Sequence, residues 1–122
     1  MARGLSSLQK SILTMAIQNR LKIRTSEKRL TDYNQGRKYG QMDLNTFENY
    51  YPRETDIFFN EFIGATKPEK TNTIKASVSR AFKRLEERDL LKREYWAFHN
   101  DVGANLTIKG KGVAEELMVN KY

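Results

Sequence analysis

The sequence predicts a mainly α fold with one small β-hairpin, an α+β domain. Two observations carry that reading. Apolar residues recur at helical spacing in four separate segments, and one segment alone, "LLKREYWAF" at Leu90–Phe98, is aromatic and partly alternating. A chain of 122 residues builds one core, so a single domain over 1–122 is expected.

The first helix is expected at about Ser7 to Asn19. Ser6 and Gln9 have capping-box spacing, and Leu5, Leu8, Ile12, Leu13, Ala16 and Ile17 form the apolar stripe. Residues 20–50 read as a long basic, tyrosine-containing loop inserted between the first two core helices. They are polar, carry Gly36 and Gly40, and scatter Tyr33, Tyr39, Phe47, Tyr50 and Tyr51 without a period. Short helical turns are compatible with this segment. Tyr50-Tyr51 suits a short strand, because Pro52 fits the first position of a following helix. That second helix is expected at about Arg53–Ile63, with Ile57, Phe58, Phe62 and Ile63 as its apolar face and Gly64 as its C′ residue. A polar connector, "GATKPEKTNT", leads to a third helix at about Ile74–Arg88. The hairpin Lys92–Ile108 turns at "HNDVGAN" and returns through "NLTI". Thr107 then caps a last helix striped by Val113, Ala114, Leu117 and Met118.

Composition excludes several functions. Cysteine is absent, which removes a disulfide framework and a thiolate zinc site. His99 is the only histidine, so neither a metal-ligand cluster nor a Ser-His-Asp constellation can be assembled. The "GKG" at Gly110–Gly112 lacks the spacing of a phosphate loop. The expectation is a protein that is not an enzyme and holds no metal or cofactor. No apolar run approaches the roughly 18–20 residues of a membrane helix. Met1-Ala2-Arg3-Gly4 does not open an export signal, so a cytoplasmic chain without membrane contact is expected.

The net charge of +7 points to a polyanionic partner. Arg20, Lys22, Arg24, Lys28, Arg29, Arg37 and Lys38 face only Glu27 and Asp32 between positions 20 and 38. That run suits extra phosphate contacts, and equally a solvated loop. The third helix poses a sharper question. It places cations early and carboxylates late, against the preference of the helix dipole. On a helical wheel Ile74, Val78, Ala81, Phe82 and Leu85 turn inward, while Ala76, Arg80, Lys83 and Glu87 turn outward with Ser77, Ser79 and Arg84 at the flanks. Small residues, hydroxyls and cations in the leading turns suit a helix that enters the major groove of double-stranded DNA. Arg80 can read guanine, Ser77 and Ser79 can bond bases or phosphate, and Lys83 and Arg84 can reach the backbone. The competing reading is an ordinary exposed face stabilised by pairs such as Lys83 with Glu87.

A helix, a hairpin and a further helix in this order resemble a winged helix-turn-helix. "SVSRAFKRLEERDLLKRE" at Ser77–Glu94 is similar to the recognition helix and first wing strand of winged-helix regulators. "LTIKGKGVAEEL" at Leu106–Leu117 resembles the end of the wing and the start of the last helix in MarR-type regulators, and "LSSLQKSIL" at Leu5–Leu13 resembles the opening helix of small prokaryotic winged-helix proteins. The resemblance implies that Lys75, Ala76, Ser77, Ser79, Arg80, Lys83 and Arg84 face DNA from helix 74–88. It implies that hairpin 92–108 is the wing, where His99, Asn100 and Asn105 are the candidate contacts. The chain departs from the pattern at Asp101-Val102-Gly103, which lacks the arginine of MarR-type wing tips, and at Asp89, where glycine is common. The connector between the second and third helices is also longer than a tight turn. Trp96 on the wing strand suits packing more than base stacking.

The expected function is sequence-specific DNA binding by a prokaryotic transcriptional regulator acting as a homodimer, so that two recognition helices meet successive half-sites. The dimer contact would come from the first or last helix or from the aromatic residues between 33 and 59. No residue argues for a small-molecule effector. The alternatives are a winged-helix protein-interaction or assembly module that docks through the tyrosine segment, and a DNA-binding protein of plasmid or phage replication or partition.

Overall fold

Helix α1 (Ser7–Arg20) starts at the expected capping box: the Ser6 hydroxyl accepts from the Gln9 amide, and the Gln9 side chain accepts from the Ser6 amide. The computed structural model describes residues 4–35, 40–66, 71–96 and 101–121, without the side chains of Trp96, Asn120 and Lys121. After α1 come α2 (Ser26–Asn34), α3 (Leu44–Tyr50), β1 (Ile57–Phe58), α4 (Phe59–Thr66), α5 (Asn72–Glu87), β2 (Leu91–Trp96), β3 (Asp101–Leu106) and α6 (Ile108–Lys121). The protein is therefore mainly helical with one small antiparallel sheet, ordered β1-β3-β2.

Two parts of this order correct the sequence reading. The segment 20–50 is not one long loop, because it contains α2 and α3. Thr25 caps α2 by accepting from the Lys28 amide, and Asp43 caps α3 by accepting from the Thr46 amide. The second core helix does not begin near Arg53, nor is Tyr50-Tyr51 a strand. Tyr50 closes α3, and the strand is Ile57–Phe58, so α4 starts at Phe59. Ile57 and Phe58 are both buried, but they look to opposite sides of the sheet as a strand requires. Ile57 enters the main core and Phe58 a second cluster. Gly64 lies inside α4 rather than after it. A Cβ there would stand 1.7 Å from the Asp32 carbonyl oxygen, so only glycine lets α2 lie against α4.

The main core joins Ile12, Leu13 and Ile17 of α1, Phe62 and Ile63 of α4, Val78, Phe82 and Leu85 of α5, Leu91 and Ala104 of the sheet, and Val113 of α6. The second cluster is aromatic: Tyr33, Phe47, Tyr51 and Phe58. The Tyr51 ring meets Phe58 edge-on at 4.6 Å and stacks on Phe47 at 5.1 Å. It fastens α2 and α3 to the outer side of β1.

The ends of α5 follow from its sequence. Thr71 accepts from the Ile74 amide, so the helix begins before Ile74. At the other end Asp89 takes the left-handed conformation (φ 61°), and the Leu90 amide reaches back to the Leu85 carbonyl at 2.9 Å. Asp89 thus fills the place expected of a glycine. Thr107 caps α6 through the Gly110 amide. Among the described residues, no helix is long and apolar enough to cross a membrane.

A candidate nucleic-acid interface

The exposed side of α5 follows from its buried side. Val78, Ala81, Phe82 and Leu85 are at most 5% exposed, which turns Lys75, Ala76, Ser79, Arg80, Lys83 and Arg84 to solvent. Ser77 is half-buried, and its hydroxyl accepts from Arg80 Nη2 at 3.3 Å. The structure thus brings seven expected contact residues onto one helix and leaves their cationic ends in water. The competing pair of Lys83 with Glu87 does not form among the described residues. The ion pair at this end of the helix is Glu86 with Arg93, 2.7 Å.

That pair explains one of the late carboxylates. Glu86 accepts from both the Arg93 amide (3.1 Å) and the Arg93 guanidinium, so it pins the start of β2 against α5. These bonds hold the Glu86 carboxyl below its ordinary range, against a smaller opposing effect of burial. The carboxylate is structural, and among the described residues Lys83 and Arg84 form no ion pair with it.

The remaining expected contacts fare differently. Asn105 does not lie at the hairpin tip. It pairs with Lys92 near the base, and its side-chain oxygen accepts from the Asp56 amide at 2.8 Å, which fixes the turn before β1. His99, Asn100 and the side chain of Trp96 lie outside the described residues. Two exposed residues were missed by sequence reasoning. Lys92 projects from β2, and Tyr95 is 63% exposed beside the end of that strand. Positions 92 and 95 lie on opposite faces of a strand, so the period-2 pattern of "LLKREYWAF" could mark only one of them.

In the basic run of 20–38, Arg20, Arg24 and Arg29 are structural, while Arg37 and Lys38 lie outside the described residues. Arg20 grips Asp56 through Nε (3.1 Å) and Nη2 (2.6 Å). Arg29 grips Glu61 through Nε (3.0 Å) and Nη2 (2.7 Å). Arg24 bridges Glu61, Asn19 and Asp32. Arg24, Arg29, Asp32, Asp56 and Glu61 are buried, and with Arg20, and Lys28 on Asp32 at 3.3 Å, four cations meet three carboxylates across α1, the α1–α2 turn, α2, the turn before β1, and α4. Backbone groups complete the network: Glu61 also accepts from the Phe58 amide, and Asp56 from the Leu106 amide. Lys22 and Lys28 remain exposed.

Among the described residues no group of three or more His, Cys, Asp or Glu is arranged to hold a metal ion. Comparison with protein-family models, with curated proteins and with solved structures returned no match to this chain.

Proposed function

We propose that this protein binds double-stranded DNA as a winged helix, with α5 in the major groove and the β2–β3 hairpin as wing, and that it acts as a homodimeric prokaryotic transcriptional regulator. The observation that carries the reading is the exposed face of α5, where Lys75 in the first half and Arg80, Lys83 and Arg84 in the second flank small and hydroxyl side chains at the surface. The fold supports it. The pair α4–α5 runs directly into a hairpin, β1 pairs with the inner strand β3, and α6 follows. A helix with its side chains is about 10–12 Å across, which fits the roughly 12 Å width of the major groove.

The assembly-module reading has less to stand on. It relies on the tyrosine segment, where Tyr33, Phe47 and Tyr51 are buried in the second cluster and Tyr50 is the one exposed tyrosine among the described residues there. The test of the DNA reading is the affinity for duplex DNA at several salt concentrations, measured by fluorescence anisotropy. Wild type should weaken by about 0.9 log units per log unit of salt for each phosphate neutralised. The Arg80→Ala/Lys83→Ala variant should bind more weakly and with a shallower salt slope. A folded wild type with no duplex affinity at low salt would refute the proposal.

A further inference from the structure

The amino end of α4 takes a side-chain acceptor from another element. The Asn60 amide, in its first turn, donates to Asp101 Oδ1 at 3.1 Å, and the Val102 amide donates to the same oxygen at 2.8 Å. Asp101 opens β3 and pairs with Trp96, the last pair of the β2–β3 ladder before the hairpin tip. One carboxyl group thus ties the outer end of the hairpin to α4. It is buried, and its Oδ2 has no hydrogen-bond partner.

Glu61, in the same turn of α4, is buried as deeply but is held differently. Arg24 and Arg29 both pair with it, and the Phe58 amide donates to it. Among the described residues no cation pairs with Asp101. The charge nearest to it on α4 is that of Glu61, which disfavours a second negative charge. β1 brings only Ile57 and Phe58 to β3. On β2, Glu94 and Tyr95 stand opposite Gly103 and Val102, and both are exposed.

A protonated Asp101 suits this setting better than an ionised one. Burying an unpaired charge with one oxygen unbonded is costly. Burial accordingly raises the carboxyl to about 7, against the pull of the Asn60 and Val102 amides. Separating the hairpin end from α4 returns the group to water and toward its ordinary 3.8. Opening therefore releases a proton between these two values. The closed contact is fully stabilised below about pH 4, loosens by up to about tenfold per pH unit above it, and levels off above about pH 7.

We infer that Asp101 is a proton-controlled clasp: protonated, it holds the outer end of the β2–β3 hairpin on the amino end of α4, and its ionisation lets that end come away while the core stays closed. The clasp stands without any DNA contact. Its consequence for function, a duplex affinity that changes with pH through the freedom of the wing, rests on the proposed DNA reading.

The test is native-state amide exchange of the full chain at pH 5, 6 and 7, corrected for the intrinsic pH dependence of exchange, for wild type, Asp101→Asn and His99→Gln. In wild type and His99→Gln the protection of the Asn60 and Val102 amides should fall by about tenfold or more from pH 5 to pH 7. At pH 7 it should lie well below that of the core amides of Ile12 and Phe82, because the opening is local. Asp101→Asn should show no such fall. The inference is overturned by protection equal to that of the core, by protection that does not change with pH, or by a fall that persists in Asp101→Asn or vanishes in His99→Gln. Duplex anisotropy at pH 5 and pH 7 tests the consequence. A pH effect in wild type that Asp101→Asn lacks supports it, and the same effect in both proteins contradicts it. No duplex binding beside the expected exchange pattern defeats the DNA reading and leaves the clasp standing.

Discussion

Asp101 should make the protein's stability depend on pH in a direction opposite to that of most carboxylates. The side chain is 2% exposed. Oδ1 accepts from the Asn60 amide at 3.1 Å, in the first turn of α4, and from the Val102 amide at 2.8 Å. Oδ2 has no partner. Burial raises the carboxyl from 3.8 to about 7, with Glu61 adding to it, against the pull of the two amides. The folded state therefore keeps a proton that the unfolded chain releases near pH 4. The stability that proton confers is fully present below pH 4 and is lost as pH rises to 7. At about 1.4 kcal/mol per pH unit the loss is at most about 4 kcal/mol.

Asp101→Asn keeps an oxygen for the Asn60 and Val102 amides and removes the charge. At pH 8 it should be more stable than wild type by about 1–3 kcal/mol, because its own buried NH₂ group recovers less than the full amount. At pH 5 wild type is neutral there, and the difference should shrink to zero or reverse. Urea unfolding at the two pH values measures both differences. An equal difference at pH 5 and pH 8 would refute the reasoning, since a charge that does not titrate cannot produce it.

The ion network and the helix packing give further expectations. Arg29→Met leaves Glu61 buried with one guanidinium fewer, and should cost about 3–5 kcal/mol in denaturant unfolding. Adding Glu61→Gln should recover part of that loss, so the double variant should be less destabilised than the sum of the two single changes. Gly64→Ala drives a methyl group into the Asp32 carbonyl. It should destabilise by about 1–3 kcal/mol or more, and amide hydrogen exchange should show the protection of α2 falling more than that of α5.

The parts of this fold that were readable from sequence are those whose inward face is apolar. α1, α5 and α6 announce themselves through leucine, isoleucine, valine and phenylalanine at helical spacing, and Ser6 and Thr107 mark two of their starts. α2 was hidden because its buried side is Arg29, Asp32 and Tyr33. Two of these are charged, and a charged residue reads as surface unless its partner is known. The partners, Glu61 and Arg24, lie 32 and 8 residues away. Tyr33, Phe47 and Tyr51 showed no period because they come from two helices and a cap that meet only in three dimensions. Ile57 and Phe58 merged with Phe62 and Ile63 into one apparent helical face, although a strand and a helix divide them. The exposed face of α5 was legible because it is complementary to a plain apolar stripe. The Glu86–Arg93 tie was not, since it depends on where β2 turns back.

The most direct test of the account is a map of the DNA-contacting surface by amide and side-chain NMR shifts, with labelled protein titrated with duplex DNA. The account predicts that the largest changes fall on Lys75–Arg84, with the guanidinium resonances of Arg80 and Arg84 among them, while Tyr33, Phe47 and the buried Arg29–Glu61 pair stay in place. Changes confined to the α2–α3 surface or to α6, with α5 silent, would contradict it.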